Sequence, residues 1–427
     1  MRRSQALLVV ATIAVVPRLA VLAWERNRIL EAFVEKSDRF AQTLVSSGTF
    51  GLLPGVPSAY TQPLYAWFLA ALYWPLDRTW LVVGGAQILV AAGTAMLVFE
   101  IGRRIGSVTI GLIAALISTF HPYLVWHDVH VNREILDGFL LALIVLLALI
   151  ARERRSAWWC AALGAAAGVA ILGNSRLILL PVLLAVYAAW PLHADRRTIA
   201  ALLAVLVAAG LAIAPWAVRN RVQVGCFAIT TDARALWKAN NENTYRVLAA
   251  GQWIDDVPDP PGVPPWPTRA ADLELATGKR VPVDECAQMT LYERKVLSFW
   301  RHHPGEKGRL AAQATWMLWQ PTFSVATDDP GRKGFADTLR RSGEPVFMVA
   351  LYALALVGLF LAPRRFVALA LSLAAYNTVM AMIFAGTVRY RVPWDFLLAL
   401  LAAFPLLLAW ERLRSRYARP APESAAS

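Results

Sequence analysis

The chain has 427 residues, of which 58% are hydrophobic and 17% are charged, and its mean hydropathy is +0.48. These values exclude an ordinary soluble domain, in which about a quarter of the residues are charged. The net charge of +13 does not indicate nucleic acid binding, because the basic residues stand in short bursts between apolar runs and not on one solvated face. The composition predicts an all-α integral membrane protein.

Apolar runs along the chain are long enough to cross a hydrocarbon core of about 30 Å. The first follows Arg2 and Arg3 and lacks a small-residue cleavage site, so we expect a retained helix and not a signal peptide. The sequence predicts about ten transmembrane helices, near residues 5–24, 80–101, 108–125, 135–151, 157–173, 176–191, 198–217, 345–362, 366–386 and 393–410.

Arginines between these runs indicate the orientation of the chain. Bursts of arginine fall at every second junction, at residues 2–3, 103–104, 152–155, 196–197, 364–365 and 412–419. Short cytoplasmic loops retain Lys and Arg, so these junctions are predicted to be cytoplasmic. We therefore expect a multi-pass protein of the cell membrane, inner or plasma, with both termini in the cytoplasm.

This topology divides the chain into four parts. We expect an N-terminal transmembrane module at 1–217 with a first outer loop at about 25–79, a non-cytoplasmic loop domain at 218–344, C-terminal transmembrane helices at 345–411, and a basic and then flexible cytoplasmic tail at 412–427. Apolar residues at helical spacing predict interfacial helices at 291–300 and 310–319 of the loop domain. Cys226 and Cys286 both lie in that domain, and the sequence fits a disulfide and two free thiols equally well.

Ionisable residues at the outer helix ends are the first candidates for chemistry, because charge near a membrane is costly unless it is solvated or paired. Asp38, in the first outer loop, suits either a helix cap or a general base. His127 and His130 are one helical turn apart and could share a metal with Asp128 or Glu134, although solvation of a helix end explains them as well.

Arg389 and Arg391 lie on the outer side, against the bias of the other arginines. Such a pair suits either a phosphate or the outer headgroups, and Arg176 raises the same question. A further set of indole, guanidinium and amide groups offers stacking faces and hydrogen bonds to a sugar, but is also common in ordinary loops. Its members are Trp216, Arg219, Asn240 and Asn241.

Taken together, these segments resemble the GT-C superfamily of membrane glycosyltransferases, specifically the family 39 or protein-mannosyltransferase-like group, and are also similar to lipid A aminoarabinose transferases. The matching positions are Asp38, Ala41, Leu44 and Gly48; Pro63, Leu64 and Tyr65; Glu134; Ser175 and Arg176; Pro215, Trp216, Arg219 and Asn220; Leu236, Trp237, Asn240 and Asn241; and Arg389, Tyr390 and Pro393. Gln62 and Ala239 depart from the pattern.

The resemblance implies inverting transfer of a sugar from a polyprenyl-phosphate donor to a glycan, lipid or protein acceptor. Asp38 is then expected to deprotonate the acceptor hydroxyl, with Glu134 ordering the site or a metal. Arg389, Arg391 and Arg176 are expected to hold the donor phosphate. Tyr60 is expected to contact the sugar or the acceptor, together with Trp216, Arg219, Asn240 and Asn241. The cofactor is left open, with a divalent metal ion as the candidate.

Two other functions compete with transfer. A transporter or flippase of a lipid-linked phosphate would also need outer arginines, but no internal repeat or inverted hydropathy symmetry is visible in the sequence. A membrane scaffold without catalytic activity would tolerate loss of both Asp38 and Arg391. Membrane lipids are expected partners of the protein, and nucleic acid is not.

Overall fold

The computed structural model describes residues 3–32, 34–193, 195–322 and 342–417. Over these residues the chain is helical and has no β-strand, apart from one isolated bridge between Leu53 and Val56. The all-α fold class predicted from the sequence is confirmed. Residues 323–341 of the predicted loop domain and 418–427 of the predicted tail lie outside the described residues.

The helices follow one another with short connections. In chain order they are α1 (Arg3–Glu25), α2 (Ser37–Ser47), α3 (Pro63–Leu76), α4 (Trp80–Ile105), α5 (Val108–Thr119), α6 (Pro122–His127), α7 (Glu134–Arg154), α8 (Ala157–Gly173), α9 (Leu180–Ala189), α10 (Arg196–Gln223), α11 (Arg234–Lys238), α12 (Thr244–Ala249), α13 (Pro267–Thr277), α14 (Glu285–His302), α15 (Pro304–Trp319), α16 (Glu344–Leu361), α17 (Arg364–Ile383), α18 (Val388–Arg391) and α19 (Phe396–Tyr417). Turns of 3₁₀ helix lie at Arg26–Leu30, Ser175–Leu177, Ile254–Asp256 and Val392–Trp394.

A helix coincides with each of the ten predicted spans. Helices α1, α4, α7, α10, α16, α17 and α19 are long and apolar enough to cross a membrane. Helices α5, α8 and α9 are apolar but shorter. The protein is therefore a multi-pass membrane protein, while the count of ten spans and the orientation of the termini stay predictions.

Glycine allows two pairs of these helices to approach closely. A Cβ atom on Gly164 of α8 would lie 2.1 Å from the carbonyl oxygen of Val205 in α10, and one on Gly358 of α16 would lie 2.1 Å from that of Leu401 in α19. Helix association in lipid depends on such close packing, because lipid chains are as apolar as the side chains. These contacts hold the bundle on which the loops rest.

The two segments predicted to lie outside the membrane fold into small helices. The first contributes α2 and α3, and the second contributes α11–α15. The interfacial helices predicted at 291–300 and 310–319 fall within α14 and α15. A disulfide joins Cys226 to Cys286, whose Cα atoms are 5.9 Å apart, so the end of α10 is fixed to the start of α14.

Candidate active site

Two carboxylates and two guanidinium groups meet where the first loop contacts α7 and α18. Arg389 donates hydrogen bonds from Nε and Nη2 to the two carboxylate oxygens of Glu134, the second at 3.1 Å. Its Nη2 also lies 4.0 Å from Glu35 Oε1. Arg133 Nε lies 3.6 Å from Glu35 Oε1 and 4.0 Å from Glu134 Oε1. The four charges balance within one cluster.

Backbone hydrogen bonds hold both carboxylates in place. The N–H of Glu35 donates to the carbonyl of Val131 at 3.2 Å, and the N–H of Arg133 donates back to Glu35 Oε2 at 3.1 Å. Asn132 Oδ1 accepts the N–H of Glu134 at 3.3 Å, which starts α7. The first loop and the segment before α7 are thus joined by reciprocal bonds, which fix the distance between the two acids.

The two arginines of the cluster stay charged. Burial opposes the charge on Arg133, but the carboxylates of Glu35 and Glu134 outweigh it and raise the pKa of that guanidinium. Burial likewise opposes the charge on Arg389, and again Glu134 and Glu35 raise its pKa above the ordinary value. The buried Nε of Arg133 has no hydrogen-bond partner in the described part of the chain. It can donate to a ligand oxygen.

Arg176 is a buried cation near this cluster, and it has no ion-pair partner among the residues that the structure describes. Its Nη2 donates to the carbonyl of Ala385 at 2.8 Å, and its Cζ lies 3.9 Å from the ring centroid of Tyr390. Tyr376 donates to the backbone carbonyl of Arg176 at 2.7 Å. The buried Nη1 forms no hydrogen bond there. A buried guanidinium without a carboxylate is suited to an anionic ligand.

Residues 57–218 match the family described as dolichyl-phosphate-mannose-protein mannosyltransferase. The resemblance to GT-C membrane glycosyltransferases is confirmed. The matched range contains Arg133, Glu134 and Arg176 of the site, whereas Glu35 and Arg389 lie outside it. No curated protein matches the chain.

The chain is also similar to solved structures. ArnT from Cupriavidus metallidurans bound to undecaprenyl phosphate is 14% identical with a TM-score of 0.42, and the match covers 97% of this chain and 81% of that chain. The apo oligosaccharyltransferase of Archaeoglobus fulgidus is 12% identical with a TM-score of 0.46, and the match covers 96% of this chain and 51% of that chain. The chain thus spans about half the length of the oligosaccharyltransferase.

Asp38, expected to be the general base, is hydrogen-bonded to three other side chains. Arg78 Nε lies 3.1 Å from both carboxylate oxygens, and Arg78 Nη2 donates to Oδ2 at 2.9 Å. Tyr73 donates to Oδ1 at 2.5 Å and Gln42 to Oδ2 at 2.8 Å. With four donor groups on a carboxylate that is 3% exposed, Asp38 links α2 to α3 and to the turn before α4.

Arg391, expected to hold the donor phosphate, is paired within the protein. Its side chain is fully buried, and its Nε bonds both oxygens of Asp395 at 3.1 Å. Its Nη1 donates to the carbonyls of Leu318 and Gln320 at 3.3 and 2.5 Å. Arg389 contacts the acids of the cluster and Arg391 does not, because side chains two positions apart on the short helix α18 point in different directions.

The proposed metal ligands are not gathered around one point. Asp128 pairs with Arg18 of α1, with Nη2 at 2.6 Å from Oδ2. His130 stacks on Trp126 with ring centroids 3.7 Å apart, while His127 stacks on Tyr123 at 3.8 Å. No group of three His, Cys, Asp or Glu side chains in the described ranges is placed to hold a metal. These residues do not fit the divalent metal ion considered from the sequence.

The side chains of Trp216 and Arg219, which were expected to contact a sugar, form hydrogen bonds within the protein. Trp216 Nε1 donates to the carbonyl of Ile229 at 2.8 Å. Arg219 donates to the carbonyls of Ser58 and Phe50, both at 2.9 Å, and so anchors the first loop to α10. In this structure their polar groups are bonded within the protein, and their contact with a sugar stays a prediction.

The amide pair of the loop domain and Tyr60 are likewise buried. Asn240 Nδ2 donates to the carbonyl of Ile383 at 2.9 Å, and Asn241 Nδ2 donates to that of Trp237 at 2.9 Å. Tyr60 is 4% exposed and lies beneath Lys36, whose Nζ is 4.3 Å from the ring centroid. Burial raises the pKa of Tyr60, so its hydroxyl stays protonated.

Sequence reasoning missed Glu35 and Arg133, which flank the residues it selected. One signal could have separated Glu35 from Asp38. Arg78 lies on the predicted outer side, against the arginine bias, and such an arginine needs an acid nearby. In the structure Asp38 is the acid that pairs with Arg78, and Glu35 lies beside Arg133 and Arg389.

Proposed function

We propose that the protein transfers a sugar from a polyprenyl-phosphate donor to an acceptor hydroxyl on the non-cytoplasmic face, with inversion at the anomeric carbon. The observation that carries the proposal is the balanced cluster of Glu35, Glu134, Arg133 and Arg389 beside the buried Arg176. It combines carboxylates that can move a proton with guanidinium groups that can bind a phosphate. The family match over residues 57–218 supports a transferase.

The donor phosphate is assigned to Arg176 and Arg389, with the free Nε–H of Arg133 beside them. Arg176 has a buried Nη1 without a partner, and Arg389 is half-exposed, with a side-chain exposure of 36%. When the glycosidic bond breaks, the leaving phosphate gains negative charge. Fixed guanidinium groups stabilise that charge in the transition state more than in the bound donor.

The general base is assigned to Glu35, in place of Asp38. Both oxygens of Glu134 accept hydrogen bonds from Arg389, so Glu134 positions that arginine. Glu35 accepts one backbone N–H at Oε2, and its Oε1 has only the longer contacts to Arg133 and Arg389. Oε1 of Glu35 can therefore accept a proton, whereas both carboxylate oxygens of Asp38 already accept hydrogen bonds.

One displacement accounts for the reaction. Glu35 takes the proton of the acceptor hydroxyl, and the acceptor oxygen forms a bond to the anomeric carbon. The bond from that carbon to the phosphate oxygen breaks, and its electron pair leaves with the polyprenyl phosphate. A single displacement from the opposite side inverts the configuration. A glycan, a lipid or a protein can each supply the acceptor hydroxyl.

The test uses the full chain in vesicles with a polyprenyl phosphate that carries a radiolabelled sugar. A mixed extract of membrane glycolipids, glycans and proteins serves as the acceptor, and heat-inactivated protein is the control. We expect label to become covalently bound to an acceptor, with free polyprenyl phosphate as the second product. If the donor crosses the bilayer with its label still attached, the protein is a flippase and the proposal is wrong.

A further inference from the structure

A cavity of about 380 Å³ lies between α16, α17 and α19. Its walls are almost wholly apolar and include Leu359, Ala370, Ala374 and Leu398. Leu356 on α16 and Leu371 on α17 also line it, and these side chains are 62% and 50% exposed. Since exposed apolar side chains of spanning helices face lipid, the mouth of the cavity opens onto the bilayer.

The end of the cavity next to α18 is polar. Arg391, Asp395, Asn377 and Tyr352 contribute to its lining there. Arg391 uses Nε and Nη1 for Asp395 and for two backbone carbonyls, but its Nη2 is buried and has no hydrogen-bond partner among the described residues. A buried donor that is left unsatisfied destabilises the protein, because it has lost its hydrogen bonds to water. A hydrogen-bond acceptor bound in the cavity would remove this cost.

The net charge at the polar end indicates which kind of hydrogen-bond acceptor can bind there. Arg391 is neutralised by Asp395, which lies 3.1 Å away and also bonds His121 Nε2 at 3.1 Å. The Nη2 amino group is therefore unsatisfied in the described part of the chain, without an excess of positive charge to balance a phosphate. A neutral acceptor such as an ester carbonyl fits better. This separates the cavity from Arg176, which has no carboxylate partner in the described ranges and suits an anion.

We propose that the cavity binds one acyl chain of a glycerophospholipid from the surrounding membrane, with the ester carbonyl accepting the Nη2 hydrogen bond of Arg391. The chain fills the space between α16 and α17 and contacts Leu398 of α19. The short helix α18 carries both Arg391 and Arg389. A lipid bound to Arg391 therefore also steadies the arginine that pairs with Glu134. The lipid is neither donor nor acceptor of the sugar.

The experiment places the full chain in vesicles of phosphatidylethanolamine and phosphatidylglycerol. A small fraction of the phosphatidylethanolamine carries a diazirine on one acyl chain, and irradiation is followed by peptide mass spectrometry. We expect labelling on the cavity walls in α16 and α17. Ala374→Phe fills the cavity and should lower this labelling about tenfold. The control Ala375→Phe changes the next, exposed residue and should leave it unchanged.

A second arm tests the carbonyl with the unmodified protein. Diazirine-labelled diether phosphatidylethanolamine has the same chains and headgroup but no ester carbonyl, and it should label the walls several-fold less. Equal labelling by the two lipids, or labelling confined to outward-facing residues, would overturn the proposal. Displacement of the label by added polyprenyl phosphate would assign the cavity to that lipid instead. Because labelling requires no transfer, its outcome is independent of the proposed function.

Discussion

Glu35 and Asp38 are three residues apart in the loop between α1 and α3, and they have different surroundings. Asp38 accepts hydrogen bonds from Arg78, Tyr73 and Gln42, and so connects α2 to α3. Glu35 precedes α2 and faces Arg133 and Arg389 with an oxygen to spare. A carboxylate in the expected segment is therefore not sufficient for a general base. Its hydrogen-bond capacity must also be unused.

The largest expected effect is on Glu35. Removal of a general base typically lowers a rate by 10²- to 10⁴-fold, so Glu35→Gln should lower kcat for sugar transfer by about that factor. The glutamine retains the size of the side chain and can still accept the N–H of Arg133. Expression and thermal stability should therefore change little. Steady-state kinetics with saturating donor and acceptor measure the effect.

Asp38→Asn is the matched control for this variant, because it removes one carboxylate charge from the same loop. Its folded fraction should retain kcat within a few-fold of the parent value. The comparison between the two acids fails if Asp38→Asn abolishes transfer in correctly folded protein while Glu35→Gln remains active. That result would return the role of base to Asp38.

The next effect is on stability. Asp38→Asn leaves Arg78 with weaker partners in a largely buried clamp, and we expect a loss of about 2–3 kcal/mol of folding free energy. Arg78→Met and the double variant complete a double-mutant cycle. Thermal unfolding of the four proteins in one detergent measures the coupling. Additive losses would show that Asp38 and Arg78 do not act as a pair.

A smaller effect is expected at Arg176. Replacement by Gln removes the buried charge assigned to the donor phosphate, while an amide can still donate to the carbonyl of Ala385. The KM for the donor should rise about tenfold, corresponding to about 1.4 kcal/mol. Arg154→Gln, at the opposite end of α7, is the control. An unchanged donor KM for Arg176→Gln would remove this arginine from the phosphate site.

The fold was largely predictable because apolar length and arginine placement act over whole helices. Each predicted span coincides with a helix, and the two interfacial helices of the loop domain are present as α14 and α15. The division into four parts and the cytoplasmic orientation remain predictions. Local pattern sufficed here because a helix in lipid must bond its own backbone.

The site was predictable only in part, because it depends on pairings between distant segments. Glu134 and Arg389 were selected, and the structure brings them together across 255 positions of sequence. The partners of Asp38 and Arg391 could not be read from spacing. Arg78 lies 40 residues after Asp38, while Asp395 follows Arg391 by one helical turn and competes with any phosphate for it.

The smallest effect concerns a second clamp, which differs from that of Asp38 because it has no acid. Lys307 of α15 donates to Asn240 Oδ1 and to the carbonyl of Met382, both at 2.5 Å. Trp300 Nε1 donates to the same oxygen of Asn240 at 2.8 Å. These bonds fasten the loop domain to the end of α17. Burial lowers the pKa of Lys307 to about 8 from 10.5.

The sign of the pH effect follows from that lowered pKa. Between about pH 8 and 10.5 the unfolded chain binds a proton at Lys307 that the folded chain has released, so this lysine makes the free energy of unfolding rise with pH. The expected rise is on the order of 1 kcal/mol, with allowance for solvent screening. Lys307→Met cannot titrate, so the difference in Tm between parent and variant should vary across this window. A constant difference would mean that Lys307 keeps its proton there, and that the loop domain, like the clamp of Asp38, is fastened by a permanently charged group.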